Sequence, residues 1–317
     1  MKLPPFICLI LLFFVCRVSA QDTTTRVFHL KDVPAEGITL DKGWVYKPGN
    51  DTEWTKKDPS EDLDSPFLKL SHYEVNSSHD TSQMHDVTTL ISQTQKRLWN
   101  ALKRRYKYSS TLDPAQNYLR KHADSKICLA VLYIDLVGST NLCMTISVDK
   151  LATIIRAFTY EMSSVVQTYD GFVLKYVGDA VISFFPSASS KYVACETAVN
   201  CGMSMLSIIR NGLNPILNQY DYPELSAKIG IDEGENAVVQ YNTDKNSPLD
   251  ILGYCMSVSA KMTSLTEPNK ITIGDDVFNV LHPELKEKFV QVSYSEKEWK
   301  YVNKRTGQLY KLHTLNL

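Results

Sequence analysis

The sequence predicts a mixed α/β domain, and three stretches predict it. The run Leu129-Ala130-Val131-Leu132-Tyr133-Ile134 is apolar and rich in strand formers, ends at Asp135, and passes through Leu136 and Val137 into the small-residue turn Gly138-Ser139-Thr140, which can open a helix. Next, Leu151, Ile154, Ile155, Phe158, Met162, Val165, Val166 and Tyr169 hold a 3.6-residue helical period. Finally, in the stretch from Gly171 to Pro186 two β-rich runs flank Gly178-Asp179, a pair suited to a two-residue type II′ hairpin turn. If that hairpin pairs beside the first strand, Asp135 and Asp179 meet at one edge of one sheet. Two hard oxygen ligands beside a turn of free backbone N–H groups describe a site for a divalent cation and a triphosphate.

The remaining elements follow in order. Ser147 can cap the long helix, Asp149 suits its dipole, and Gly171 is expected to take the left-handed position at its end. This apolar stripe reads as core. A second helix is expected from Lys191 to Asn211, carrying Val199, Met203 and Leu206. Two strands (Ala227 to Ile231 and Ala237 to Tyr241), a helix from Met256 to Thr266 and a strand at Ile271 to Ile273 come next. Trp299 to Leu312, around Thr306-Gly307, reads as a hairpin.

Composition limits the chemistry. The chain has 317 residues, 44% apolar and 22% charged, enough for a sizeable core and one or two domains. A formal charge of −1 gives no electrostatic sign of nucleic-acid binding, and none is expected as a partner. The seven cysteines form no Cys-x-x-Cys pair, which argues against a zinc site or disulfide framework and favours a reducing compartment, with the catalytic region expected in the cytoplasm. No histidine lies between His122 and His282, so acid–base or metal chemistry in that region falls to carboxylates.

The N-terminus points elsewhere. Lys2, the apolar run Phe6 to Val15 and Val18-Ser19-Ala20 have the form of a signal peptide over residues 1–20, or of an uncleaved anchor, through which the chain would associate with a membrane. Residues 21–83 are polar and without helical period; the stretch from Leu40 to Trp54 vaguely resembles the opening strands of bacterial jelly-roll sensor domains, at most a fragment of one. Asn50-Asp51-Thr52 and Asn76-Ser77-Ser78 fit the glycosylation pattern, and Met84 is an alternative start. Residues 84–125 form a helical linker in which Leu98, Leu102 and Tyr106 recur among lysines and arginines, either a solvated amphipathic face or a signalling helix. Asp113-Pro114 can open a second short helix.

Asp-x-x-Gly-Ser-Thr at Asp135, Lys-x-x-Gly-Asp-Ala at Lys175, Gly-Ile-x-x-Gly at Gly230 and Asp250-Ile251-Leu252-Gly253 stand in the order and spacing of the class III nucleotidyl cyclases, which this region resembles from Ile127 to Val290. The resemblance implies an α/β (α+β) ferredoxin-like catalytic fold over residues 126–290, with residues 291–317 as a hairpin extension. It also implies conversion of ATP to cyclic AMP and pyrophosphate in signal transduction, with two Mg²⁺ or Mn²⁺ held by Asp135, Asp179 and the Leu136 carbonyl, and phosphates over Gly138, Ser139 and Thr140. Lys175 and Asp250 match the family's base readers: a lysine donates to adenine N1 and a carboxylate accepts from its amino group, which favours ATP over GTP. The family's site lies between two chains, so the resemblance implies a homodimer.

One motif departs from the family. Ser257 and Lys261 stand where active members carry Asn to orient the ribose and Arg to stabilise the phosphates. Serine lacks the amide donor, and lysine keeps the charge without the bidentate fork. A slow or substituted cyclase and a non-enzymatic nucleotide-binding or dimerising module are the two readings this leaves. A diguanylate cyclase would show Gly-Gly-Asp/Glu-Glu-Phe at the hairpin, where this chain has Val177-Gly178-Asp179-Ala180-Val181.

Overall fold

The computed structural model describes residues 86–104, 111–187, 190–242, 244, 247–303 and 306–316, with side chains only to 102 in the first stretch, together with the backbone of five short strands before them. Those strands belong to a separate unit, Met1–Thr81. In it β1 (Val15–Cys16) pairs antiparallel with β2 (Arg26–Val27), and β3 (Ile38–Leu40), β4 (Trp44–Tyr46) and β5 (Trp54–Lys56) form an antiparallel meander. The signal or anchor reading, both glycosylation motifs, Met84 and Tyr106 lie outside the described residues.

The second unit, Ser82–Leu317, is built on one sheet. Its first helices are α1 (Val87–Arg104) and α2 (Asp113–Arg120). There follow β6 (Lys126–Leu136), α3 (Ser139–Thr145), α4 (Val148–Thr168), β7 (Phe172–Val177) and β8 (Ala180–Pro186). Helix α5 (Lys191–Ile208) continues through a π turn at Ile209–Leu213 into α6 (Asn214–Asn218). The chain then forms β9 (Ala227–Gln240), β10 (Leu249–Gly253), α7 (Tyr254–Leu265), β11 (Lys270–Gly274), α8 (Asp275–Val280), α9 (Pro283–Lys286), β12 (Phe289–Val292) and β13 (Leu312–Leu315).

The sheet runs β12-β13-β11-β9-β6-β8-β7, with β10 on β9 beyond the end of β11. The four strands at one end of it, β9-β6-β8-β7, with α4 and α5 as connections, are the expected ferredoxin-like β-α-β-β-α-β unit. Strand alternation divides the core. Ala130, Leu132, Ile134 and Leu136 of β6 face α4 and α5, whereas Leu129 and Val131 face α2 and the start of α7. Helix α1 is part of the helix-side core through Leu90 and Leu98. Among the described residues, only Lys191–Asn218 is long and apolar enough to cross a membrane, and 56% of that window is buried inside this core.

Four details differ from the sequence expectations. Ser147 caps α4 through the Lys150 N–H, but Asp170 (φ 54°), not Gly171, takes the left-handed position after it. Gly171 is required by space, because a Cβ there would lie 2.5 Å from the Phe185 ring. The second long helix extends past Asn211 because the π turn absorbs the irregularity ahead of Pro215. The two strands expected around residues 227–241 are one strand, paired with β6 from Ala227 to Ala237. Its two glycines admit α7: a Cβ on Gly230 would sit 2.5 Å from the Ser259 carbonyl oxygen, and Gly234 faces Cys255. The hairpin at Val302 and Leu309 forms, with Gly307 left-handed, and leads into β13, which lies inside the sheet between β11 and β12.

Candidate active site

Asp135 lies one residue before the end of β6, on the face of Leu129, Val131 and Tyr133. Asp179 is the second residue of the β7–β8 turn, where Val177 pairs with Ala180 and Gly178 has φ +61°. Because Val181 pairs with Ile134, that turn sits beside the end of β6. The two carboxyl groups are within hydrogen-bonding reach of each other. Burial first, and then the charge of Asp179, push the Asp135 carboxyl above its ordinary pKa; the Leu136 N–H and the Lys228 charge pull it back. Lys228 is the register partner of Asp135 on β9.

The Asp179 Oδ2 atom is buried and has no hydrogen-bonding partner. An orphaned carboxylate oxygen facing a second carboxylate is the donor set a hard divalent cation satisfies, so the residues fit the implied metal. Among the described residues no group of three or more His, Cys, Asp or Glu side chains is placed to hold a metal ion, and such a cation would need further oxygens from its ligand. Gly138 (φ +72°) makes the turn into α3, and Ser139 and Thr140 are its first residues.

Lys175 and Asp250 form an ion pair, although their strands are distant in the sheet order. Helix α2 spans the gap. Tyr118 packs on Phe172 of β7 with ring centroids 5.0 Å apart, and the Gln116 amide exchanges hydrogen bonds with the backbone of Leu249 on β10 (3.0 and 2.9 Å). Asp250 Oδ1 also accepts from the Ile251 N–H. Tyr133, half-buried on the Asp135 face, has its phenol pushed up to about 12 by burial and then by the charges of Asp250 and Cys255.

A plain alternating strand would put Lys175 on the face of Val173, inside the helix-side core. The structure places it on the other face, because β7 carries a bulge: Val173 pairs with Ser183 and Lys175 with Ile182, leaving Leu174 as the extra residue.

Ser257 and Lys261 lie one turn apart on α7; Ser257 is exposed and Lys261 half-buried, and buried Val258, Ser259 and Met262 fill the opposite side. The C-terminal segment holds this helix. Tyr301 Oη donates to the Ser257 carbonyl at 3.4 Å, Tyr254 Oη donates to the Val302 carbonyl at 2.6 Å, and Trp299, Tyr310 and Leu312 pack on Val258 and Met262. Beneath it, buried Asp232 accepts from Tyr310 Oη at 2.7 Å, its carboxyl held well above the ordinary range mainly by burial. Asp232 and Lys228 escaped the sequence reading; the two-residue period of an unbroken β9 is the signal that would have put them on the site face.

The structure thus brings Asp135 to Asp179, Lys175 to Asp250, and Ser257 beside Lys261. No hydrogen bond or ion pair among the described residues joins the three groups.

The fold has solved counterparts. The adenylyl cyclase CyaB from P. aeruginosa superimposes with a TM-score of 0.51 at 20% identity, covering 60% of this chain and 94% of that one. The guanylyl cyclase Cya2 does so with a TM-score of 0.52 at 18% identity, covering 61% and 93%. By sequence the chain is similar to a cytidylate cyclase of Staphylococcus aureus (26% identical over 190 residues, 59% of this chain and 44% of that protein). It is also similar to a uridylate cyclase of Burkholderia cepacia (29% over 166 residues, 52% and 71%). The chain spans less than half the length of the S. aureus protein. The adenylate and guanylate cyclase catalytic domain matches residues 122–314, well over half of the sequence, and it is to this family that the chain belongs.

Proposed function

We propose that this chain cyclises a nucleoside triphosphate to its 3′,5′-cyclic monophosphate, releasing pyrophosphate, at sites shared between two copies. The observation that carries the reading is the carboxylate pair of Asp135 and Asp179 with one buried oxygen left unpaired. Asp135, Asp179 and the Leu136 carbonyl would hold two Mg²⁺ or Mn²⁺, which supply the charge that acidifies a ribose hydroxyl and makes a phosphate electrophilic. The backbone of Gly138, Ser139 and Thr140, three to five residues beyond Asp135 where helix α3 opens, would offer N–H groups to the phosphates. Ser257 would orient the ribose, and Lys261 would set a positive charge against the phosphate oxygens as charge builds on them. Since among the described residues no hydrogen bond or ion pair joins these two side chains to the carboxylate pair of their own chain, a second copy would supply them, and a symmetric pair would complete two sites.

Lys175 and Asp250 would read the base. Lysine has donors to spare beyond the ion pair, and the aspartate remains an acceptor. That combination suits a ring nitrogen beside an exocyclic amino group, which adenine and cytosine both present; guanine and uracil present a keto oxygen at the same place. ATP remains the proposed substrate, and CTP stands beside it because it shows the same edge and a relative is named cytidylate cyclase.

Incubating the purified full chain with each of the four ribonucleoside triphosphates and Mn²⁺, and resolving the products, tests both levels. Cyclic AMP or cyclic CMP is the expected product. Cyclic GMP or cyclic UMP alone would refute the base reading, and no cyclic product with any of the four would refute the enzyme.

A further inference from the structure

We infer that Tyr176 is a positioning residue, whose hydroxyl fixes the strand carrying Lys175 and the turn carrying Asp179 in the register the proposed site needs. The inference rests on that reading of the site.

The bulge at Leu174 creates the need. Val173 lies in the helix-side core and Leu174 in the core of the opposite face, and the extra residue keeps Lys175 on the Leu174 face, where it meets Asp250. Tyr176 therefore returns to the helix side, where its Oη lies 2.8 Å from Ser163 Oγ of α4. Without the bulge, plain alternation from Leu174 would send Lys175 toward the helices and Tyr176 toward Asp250. Something has to select the observed phase.

The turn itself does not. A Cβ on Gly178 would meet nothing within 4 Å, so no neighbour packs against the turn on that side, and its placement depends on the strand ends that enter it. Tyr176, itself 36% exposed, is the last residue before the turn whose side chain is hydrogen-bonded to another element, three positions ahead of Asp179; Val177 is 56% exposed.

The hydroxyl chemistry makes this anchor directional. Ser163 is buried and its Oγ donates to the Thr159 carbonyl at 2.7 Å, which uses its single proton. Ser163 must then accept from Tyr176. Tyr176 has given its own proton, so the Thr111 hydroxyl, 2.7 Å away, must donate to it. Thr111, Tyr176, Ser163 and the Thr159 carbonyl form one chain of aligned donors, in which each bond strengthens the next. Thr111 precedes α2, so the segment that enters the catalytic sheet is tied to the hairpin that carries Lys175 and Asp179.

Four proteins test this as full chains: wild type, Tyr176→Phe, Ser163→Ala, and Thr168→Ala as a control that removes a hydroxyl donating only within α4 (2.9 Å to the Ser164 carbonyl). The measurements are the Mn²⁺ concentration for half-maximal cyclisation and the amide hydrogen exchange of residues 175–180. One lost hydrogen bond predicts that Tyr176→Phe and Ser163→Ala each raise the Mn²⁺ requirement about three- to tenfold, and speed exchange in the hairpin by a similar factor. Thr168→Ala should match wild type in both. A general loss of stability would lower the melting temperature without moving the Mn²⁺ requirement. If Tyr176→Phe matches wild type in Mn²⁺ requirement and hairpin exchange, the inference is overturned, whatever its melting temperature. Should wild type cyclise no nucleotide, the proposed function fails, and the exchange measurement alone decides: faster hairpin exchange supports the anchor and unchanged exchange refutes it.

Discussion

Replacing Arg97 by Met should loosen the catalytic core without touching the site. Glu161 of α4 is fully buried, and three donors from α1 reach its carboxylate: Thr94 Oγ1 at 2.7 Å, Arg97 Nε at 3.1 Å and Arg97 Nη2 at 2.5 Å. The methionine keeps the apolar stem of Arg97 and leaves the carboxylate with Thr94 alone among those donors. Breaking a dry ion pair in this way costs about 3–5 kcal/mol. The Arg97 side chain is 26% exposed, so the expected cost falls to about 2–3 kcal/mol through solvent screening. For a unit of this size that is a fall of about 4–12 °C in melting temperature. Thermal unfolding of the full chain, followed by far-ultraviolet circular dichroism, reads it directly. The double variant Arg97→Met with Glu161→Leu removes both charges and should return to within about 1 kcal/mol of wild type. A single variant costing less than about 0.5 kcal/mol would put the pair among inconsequential surface contacts and refute the account. A double variant as unstable as Arg97→Met would assign the loss to packing instead of charge.

Asp135→Ala and Asp179→Ala should each lower cyclisation by at least about 10²-fold with the fold intact, and either variant retaining a tenth of wild-type turnover would remove the metal assignment. Without metal, Asp135→Asn should raise the melting temperature at neutral pH: the native carboxyl binds its proton more tightly than the unfolded one, so its ionisation penalises the fold above the unfolded pKa. That advantage should shrink as the pH falls and vanish below about 4, where Asp135 is protonated in both states. Ser257→Asn combined with Lys261→Arg should raise turnover of the preferred nucleotide, and an unchanged rate at preserved stability would mean a differently arranged site. Asp135→Ala and Lys261→Ala, each inactive alone, should regain activity when mixed, because one of the two shared sites then carries no lesion; a tagged heterodimer that stays silent would refute the shared site.

Much of the architecture was legible in periodicity. The stripe from Leu151 to Tyr169, the strand ending at Asp135 and the Gly178-Asp179 turn are local patterns, and they fold as patterned. What escaped was set by distant contacts. The stretch from Asp232 to Asn236, with Gly234 in it, read as a break within β9, although Gly230 and Gly234 are there to receive α7, a helix about twenty residues further along the chain. Strand β10 is a five-residue run that Gln116 of α2 helps to pin at its edge. The face of Lys175 was hidden by a one-residue bulge, which reverses alternation without leaving a signature in composition. For the site, residue types and spacing brought out both aspartates, but the pairing of Lys175 with Asp250 depends on how α2 and the strands enclose one core.

The placement of β13 bears on how the protein is made. Strands β11 and β12 do not pair with each other; each pairs with β13, which follows both in the chain, beyond segment 293–311. Until β13 is inserted, a folding chain therefore presents an unpaired edge on β11 and has no partner for β12. Such edges invite pairing with other chains, and long-range strand insertion is slow. Trp299 and Tyr310, which cover Val258 and Met262 of α7, arrive in the same interval. Insertion of β13 should thus be the step that governs the yield of folded protein, and a chaperone that shields the β11 edge until then should raise that yield.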